Sequence, residues 1–223
     1  MAMNHSKLSL AVIFGGVSSE HEVSRMSATS ILENLSPEQY DIHMVGITKK
    51  GQWLLYTGEI KDILSGAWEQ GPVAPAFLSP DPTVHGLVVL RDGKAETLRL
   101  DVIFPALHGK NGEDGTIQGL FQLSQIPYVG CDTESSAICM DKAVTHTLLS
   151  AADIEQAHYL WFYADRFDAA PDTIKKKIKA RLDFPVFVKP ANAGSSVGVS
   201  KVERYEDLDE AIRKAAREDK KVI

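Results

Sequence analysis

Several short stretches of this sequence carry residue types that can hold and activate an anionic substrate. Gly15-Gly16 follows an apolar run and precedes a helical pattern, so backbone there can approach a ligand while the helix N-terminus favours a carboxylate or phosphate. A tight turn that simply needs glycine is the competing reading. Glu20 falls in the first helical turn, where an acidic side chain is favoured by the helix dipole alone, so by position it reads as a helix-start residue rather than a ligand contact. His108 ends a buried-looking run at the mouth of Gly109-Lys110-Asn111-Gly112-Glu113-Asp114-Gly115. An imidazole in that place can donate to a carboxylate or a developing oxyanion, or be no more than a satisfied edge histidine.

Lys189 closes a further apolar run shortly before Gly194-Ser195-Ser196-Val197-Gly198. A cation beside two hydroxyls and a row of backbone N–H groups suits polyphosphate, although an exposed hairpin tip next to a surface lysine would look the same. Lys142, taken by position, is a helix-surface charge. Glu113 and Asp114 read as loop and helix-capping residues, because no third carboxylate accompanies them to make a metal site. No Gly-Lys-Ser/Thr triplet and no Gly-x-Gly-x-x-Gly fingerprint occurs, which excludes a Walker loop and a dinucleotide signature of the common kind.

The elements that must position these residues follow from hydrophobic periodicity. Leu8 to Phe14 reads as a buried strand, and Val23, Met26, Ile31, Leu32 and Leu35 as the apolar side of a helix. Ser19 and Glu22 have capping-box spacing, which starts that helix at Ser18 or Ser19, and Ser36-Pro37 ends it. Tyr40 to Thr48 reads as a second strand parallel to the first, with Gln52 to Tyr56 a short third. Gly58 to Pro82 mixes Gly, Pro, Trp and Ser with little periodicity and reads as a long excursion. Val84 to Leu90 and Ala95 to Leu100 flank Asp92-Gly93, a hairpin signal. Val102 to Leu107 is a strand, a helix follows through Ile117 and Phe121, Ile126 to Val129 is a short strand, and Ser135 to Ser150 is helical. Beyond it come a lysine-rich helix from Ala164 to Arg181, strands at Phe184–Lys189 and Val199–Val202 around the glycine-serine loop, a helix from Tyr205 to Arg217, and a strand starting at Lys221.

With 223 residues, 44% hydrophobic and 24% charged, the chain has the composition of a globular protein with one large or two small cores. A net charge of −6 argues against the broad basic surface that nucleic-acid or anionic-membrane binding requires. Cys131 and Cys139 are the only cysteines and fit neither a disulfide framework nor a common zinc pattern, so they read as reduced thiols of a cytoplasmic protein. The run from Leu8 to Phe14 is too short to span a bilayer, and Met1 to Ser6 reads as a disordered lead.

Four segments in order resemble one family, the D-alanine:D-alanine ligases of the ATP-grasp superfamily. They are Ile13-Phe14-Gly15-Gly16-Val17-Ser18-Ser19-Glu20-His21-Glu22-Val23-Ser24; Ala106-Leu107-His108-Gly109-Lys110-Asn111-Gly112-Glu113-Asp114-Gly115; Ser136-Ala137-Ile138-Cys139-Met140-Asp141-Lys142; and Phe184 to Pro190 running into Gly194-Ser195-Ser196-Val197-Gly198. The resemblance implies an α/β chain, with an N-terminal parallel-sheet domain over residues 1–130 and a central ATP-grasp lobe with an antiparallel sheet over 131–223. The family's C-terminal lobe would be absent from these residues, leaving 1–223 alone incompetent as a ligase.

The same resemblance implies roles. Glu20 would pair with the ammonium of a first D-alanine and His108 would act beside its carboxyl group. Lys142 and Lys189 would contact ATP phosphates. Gly194, Ser195, Ser196 and Gly198 would form the loop that closes over them, with Ser195 reaching toward Glu20. Mg2+ or Mn2+ would be held by ligands of the absent lobe, and the family's habit is a homodimer. A D-alanine:D-lactate or D-alanine:D-serine ligase shares these motifs, and a non-catalytic amino-acid or nucleotide-binding module would keep part of them. One departure stands out: Asp153-Ile154-Glu155-Gln156-Ala157 replaces the Gly-Ile-Pro-like turn usual in the family.

Overall fold

The computed structural model describes residues 7–223; Met1 to Ser6, read above as a disordered lead, lie outside the described residues. The chain divides into two compact units, the first ending at Ser136 and the second running Ala137–Ile223.

In the first unit β1 (Leu8–Gly15) leads into α1 (His21–Asn34), then β2 (Tyr40–Ile47) and β3 (Trp53–Tyr56). After α2 (Ile60–Ser65) and a 3-10 turn at Ala67–Gln70 come β4 (Val73–Leu78), β5 (Gly86–Arg91), β6 (Lys94–Arg99), β7 (Val102–Pro105) and α3 (Thr116–Ser124). The seven strands lie in the order β6-β5-β4-β3-β2-β1-β7. Pairing is parallel only for β1 with β2 and β1 with β7, and antiparallel from β2 out to β6. The sheet is therefore mixed where the sequence reading expected a parallel one. The parallel part is where βαβ-type connections return the chain, and the hairpins extend it to one side.

β1 explains why its sequence is a continuous apolar run rather than an alternating one. Leu10, Val12 and Phe14 face one side of the sheet with Ala28 and Leu32 of α1, whereas Ala11 and Ile13 face the other with Ile117 and Phe121 of α3. Both faces are covered, so both must be apolar, and each such leucine, valine, isoleucine or phenylalanine side chain contributes about 1.5–3 kcal/mol of burial.

The segment read as an unstructured excursion, Gly58 to Pro82, holds α2, the 3-10 turn and β4. Its Trp68 is fully buried, packs edge-on against Phe14 at 5.0 Å, and covers the α1 face of the sheet. α1 begins at His21, later than the Ser18 or Ser19 expected, and the Ser19–Glu22 capping box does not form. Ser18 Oγ instead accepts from the Glu20 N–H at 3.0 Å, and the Glu22 carboxylate pairs with Lys49. The residues between strand and helix are consumed by the turn at Gly15 and Gly16, with φ of 89° and 100°.

The second unit contains α5 (Lys142–Ala151), entered from α4 (Thr133–Met140), then β8 (Phe162–Tyr163), α6 (Ala164–Ala169), α7 (Pro171–Arg181), β9 (Val186–Val188), β10 (Ser200–Val202), α8 (Leu208–Ala216) and β11 (Lys221–Val222). Two expected single helices are each two. Asp141 caps α5 and interrupts the Ser135–Ser150 pattern. Pro171 interrupts Ala164–Arg181, since proline is tolerated in a first turn and not in a helix interior. β9 and β10 form the antiparallel hairpin expected around the glycine-serine loop, and β8 pairs antiparallel with β11. Lys189 and Ile223 exchange both backbone hydrogen bonds, at 2.8 and 2.9 Å, which joins the two ribbons. α8 seals the sheet with Leu208, Ala211, Ile212 and Ala215, an i, i+3, i+4, i+7 stripe that is buried throughout.

Candidate functional site

In the first unit the C-terminal ends of β1 and β7 meet the N-terminus of α1. A methyl group on Gly15 would lie 2.1 Å from the Ile47 carbonyl oxygen, so the turn can be made only without a side chain. Ser24 of α1 stitches the two strand ends together. Its hydroxyl accepts from the Gly15 N–H at 2.7 Å and donates to the Ala106 carbonyl. His21 Nδ1 bonds the Gly16 carbonyl at 2.9 Å; a carbonyl can only accept, so Nδ1 carries the proton.

This frame brings Glu20 and the residue after His108 together. Glu20 is buried, 8% exposed, and a methyl group on Gly109 would lie 2.3 Å from its Oε2. His108 is held from two sides. Its Nε2 is 2.8 Å from Ser27 Oγ on α1, and its Nδ1 is 3.7 Å from Glu113 Oε1, while Glu113 Oε2 accepts from the Gly109 N–H at 2.7 Å. Asp114 accepts from the N–H groups of Asn111 and Thr116 at 2.8 and 3.1 Å, capping the loop and the start of α3. The two acids thus brace the loop, as their positions suggested. Beside it opens a cavity of about 340 Å³ whose lining includes Gly16, Val17, Trp53, Leu107 and His108.

In the second unit Lys142 is half-buried at the start of α5. Its backbone N–H donates to the Ala191 carbonyl at 3.1 Å, and its Nζ donates to the carbonyls of Ala191 and Ala193 at 3.2 and 2.7 Å. The expectation of a helix-surface charge is corrected: the bend at Ala191 to Ala193, after β9, folds over the lysine. Burial, with the neighbouring Lys189 charge, holds the Lys142 ammonium below the ordinary lysine range. Lys142 and Lys189 share the wall of a cavity of about 390 Å³ with His146, Tyr159, Phe187 and Ile223.

Asp141 fixes this arrangement, and the sequence reading passed over it. Oδ1 accepts from the N–H groups of Ala143 and Val144 at 3.0 and 3.2 Å, while Oδ2 pairs with Lys221. Asn192 donates to Asp141 Oδ2 at 3.4 Å and to Asp219 Oδ2 at 2.7 Å. Burial works to raise the Asp141 pKa, but the hydrogen bonds from Lys221 and Val144 and the Lys221 charge outweigh it and hold the carboxyl below the usual aspartate value. The available signal was an aspartate directly before a helix, the N-cap preference.

The glycine-serine loop follows the bend at Ala191 to Ala193 and leads into β10. Ser195, Ser196 and Gly198 all take positive φ, 45°, 60° and 70°, a conformation unusual for serine and common where a loop serves a ligand. Turns within it are closed by Val197 N–H to Gly194 O at 3.0 Å and Val199 N–H to Ser196 O at 3.2 Å. Among the described residues no group of three or more His, Cys, Asp or Glu is placed to hold a metal ion. No helix among them is long and apolar enough to cross a membrane.

Two family models match, D-ala D-ala ligase N-terminus over residues 9–131 and D-ala D-ala ligase C-terminus over 148–223. The chain is 50% identical over 218 residues to a D-alanine–D-alanine ligase of Caldicellulosiruptor bescii, covering 98% of this chain and 59% of that protein. It is 47% identical over 218 residues to a putative D-alanine–D-lactate ligase of Streptomyces coelicolor, with 98% and 59% covered. The solved VanG D-Ala:D-Ser ligase from Enterococcus faecalis superimposes with a TM-score of 0.87 at 43% identity, over 97% of this chain and 62% of that one. The chain thus spans about three-fifths of the length of these relatives. With the N-terminal model matched over residues 9–131, more than half of the chain, and the motif segments in order, the chain belongs to the D-alanine–D-alanine ligase family of the ATP-grasp superfamily.

Proposed function

We propose that the protein carrying this chain joins two D-alanines at the expense of ATP. The observation that carries the reading is the pairing of Lys142 and Lys189 on one cavity wall, with the positive-φ loop 194–198 lying between β9 and β10, shortly after Lys189. Two ammonium groups and a turn-rich loop suit a triphosphate, and as point charges they can follow it through transfer. In the reaction, a carboxylate oxygen of the first D-alanine attacks the γ-phosphorus and ADP leaves. The amine of the second D-alanine, having lost a proton, attacks the acyl-phosphate carbonyl, and inorganic phosphate leaves with its bond electrons.

Residues 1–130 would hold the first amino acid and 131–223 the nucleotide. Glu20 would take the ammonium of that D-alanine through a charge-assisted bond, fixing which end faces ATP. His108, already oriented by Ser27 and Glu113, would act beside its carboxyl group. Ser195 and Ser196 with Gly194 and Gly198 would cover the phosphates and exclude water from the acyl phosphate. Mg2+ or Mn2+ would neutralise charge on the triphosphate; we assign no metal ligand to residues 1–223. The product would serve peptidoglycan precursor synthesis in the cytoplasm, and the working unit would be a homodimer.

The test is Glu20→Gln in the full-length protein. D-alanine-dependent ADP release should fall at least about 100-fold, as for loss of a positioning contact, with ATP binding unchanged. An equal loss of ATP binding would contradict the role. A second reading, with D-lactate or D-serine as the second substrate, is favoured by the names of the relatives from Streptomyces coelicolor and Enterococcus faecalis. Mass analysis of the product with each acceptor decides between them.

A further inference from the structure

The segment that departs from the family pattern, Asp153 to Ala157, makes a contact that the ligase reading leaves unused. Gln156 Nε2 donates to the His146 carbonyl at 2.8 Å and to Ser150 Oγ at 2.6 Å. A carbonyl oxygen can only accept, so the amide nitrogen must be on that side, and Gln156 Oε1 is left facing His146 Nδ1, with which it is hydrogen-bonded. That oxygen in turn requires the proton on Nδ1. Tyr159 stacks on the imidazole, centroids 4.6 Å apart and planes at 25°. The ring is therefore fixed in orientation and tautomer, and Nε2, the acceptor of neutral imidazole, has no hydrogen-bond partner among the described residues.

His146 stands one helical turn after Lys142 on α5, so the two side chains share a face. Both line the cavity of about 390 Å³ that Lys189 and Phe187 also line. The cavity offers two cations for an anion and, on the same wall, one oriented acceptor. We propose that His146 is a specificity residue that accepts, at Nε2, a hydrogen bond from a donor on the nucleoside part of the bound nucleotide, a ribose hydroxyl or the purine amino group. Gln156 is its positioning residue. The inference rests on the nucleotide reading of this cavity and adds to it what the ligand must present besides phosphate.

The experiment is equilibrium binding of ATP, 2′-deoxyATP, 3′-deoxyATP and purine riboside triphosphate to the full-length protein. The variants are His146→Phe, which keeps a ring to stack on Tyr159, and Gln156→Leu and Gln156→Glu, with thermal unfolding followed in each. His146→Phe should weaken ATP about three- to tenfold, the range of a single hydrogen bond. The analogue lacking the donor that meets Nε2 should bind the wild type more weakly by the same factor, yet bind His146→Phe no more weakly than ATP does. Gln156→Leu should weaken ATP, and Gln156→Glu, which keeps the acceptor for Nδ1–H, should restore most of the loss.

Wild-type affinity of His146→Phe for all four nucleotides, with Lys142→Ala impaired, overturns the inference and leaves the nucleotide site standing. Weakening by His146→Phe that is equal for every analogue also overturns it, since a packing role would do that. Indifference of ATP binding to both Lys142→Ala and Lys189→Ala refutes the nucleotide reading itself, and the inference with it.

Discussion

Gly109 lies so close under the Glu20 carboxylate that a methyl group on its α-carbon would come within 2.3 Å of Oε2. The loop after His108 is thereby shaped to the acid that the proposed function assigns to the D-alanine ammonium. Gly109→Ala should displace Glu20 and strain a residue at φ 67°, lowering D-alanine-dependent turnover about 100-fold with ATP affinity unchanged. Steady-state kinetics beside ATP titration checks this; a fall in ATP affinity of the same size would contradict it.

Asp141→Asn should destabilise the second unit by ~3 kcal/mol, because it breaks a largely buried pair with Lys221 and weakens a helix cap. The pH dependence has a definite sign. The folded carboxyl titrates below its ordinary value, so its contribution is complete above the unfolded aspartate pKa and disappears as pH falls through the lowered folded one. Denaturant unfolding of both proteins should show the gap between them narrowing in acid. A constant gap would mean that the carboxylate charge is not what stabilises the site.

Lys142 is held below the ordinary lysine range by burial and by Lys189. If its charge binds phosphate, ATP affinity should decline as pH rises from neutrality toward the ordinary lysine value, starting earlier than an ordinary lysine would allow. Lys142→Arg, which stays charged, should bind more weakly near neutrality and lose most of that decline. Calorimetric ATP titrations across this range supply the readout, and an unchanged slope in Lys142→Arg would move the titration to another group.

The elements legible from the sequence were those whose pattern is local. Leu8 to Phe14 announces a doubly covered strand, and Asp92-Gly93 marks the β5–β6 hairpin. The Gly58 to Pro82 segment was not legible, because Trp68 acquires its meaning from Phe14, distant in sequence. Pro171 and Asp141 are local signals that helix periodicity overrode. Asp153 takes φ 55°, filling with an aspartate the left-handed position where glycine is the usual choice, so the departure from Gly-Ile-Pro keeps a turn there. For the site, His108, Lys189 and the 194–198 loop could be picked out as candidates from residue type and element order, whereas Glu20 read as a helix-start residue and took a role only from the family resemblance. The burial of Lys142 could not, since it depends on carbonyls at Ala191 and Ala193, and the Asp141–Lys221 pair spans 80 positions.

The most direct measurement is product analysis of the full-length protein given ATP and D-alanine, with ADP and dipeptide quantified together. The account predicts one ADP for each D-alanyl-D-alanine, and neither product when D-alanine is omitted. ATP turnover without dipeptide, or acceptance of D-lactate or D-serine with exclusion of a second D-alanine, would contradict it.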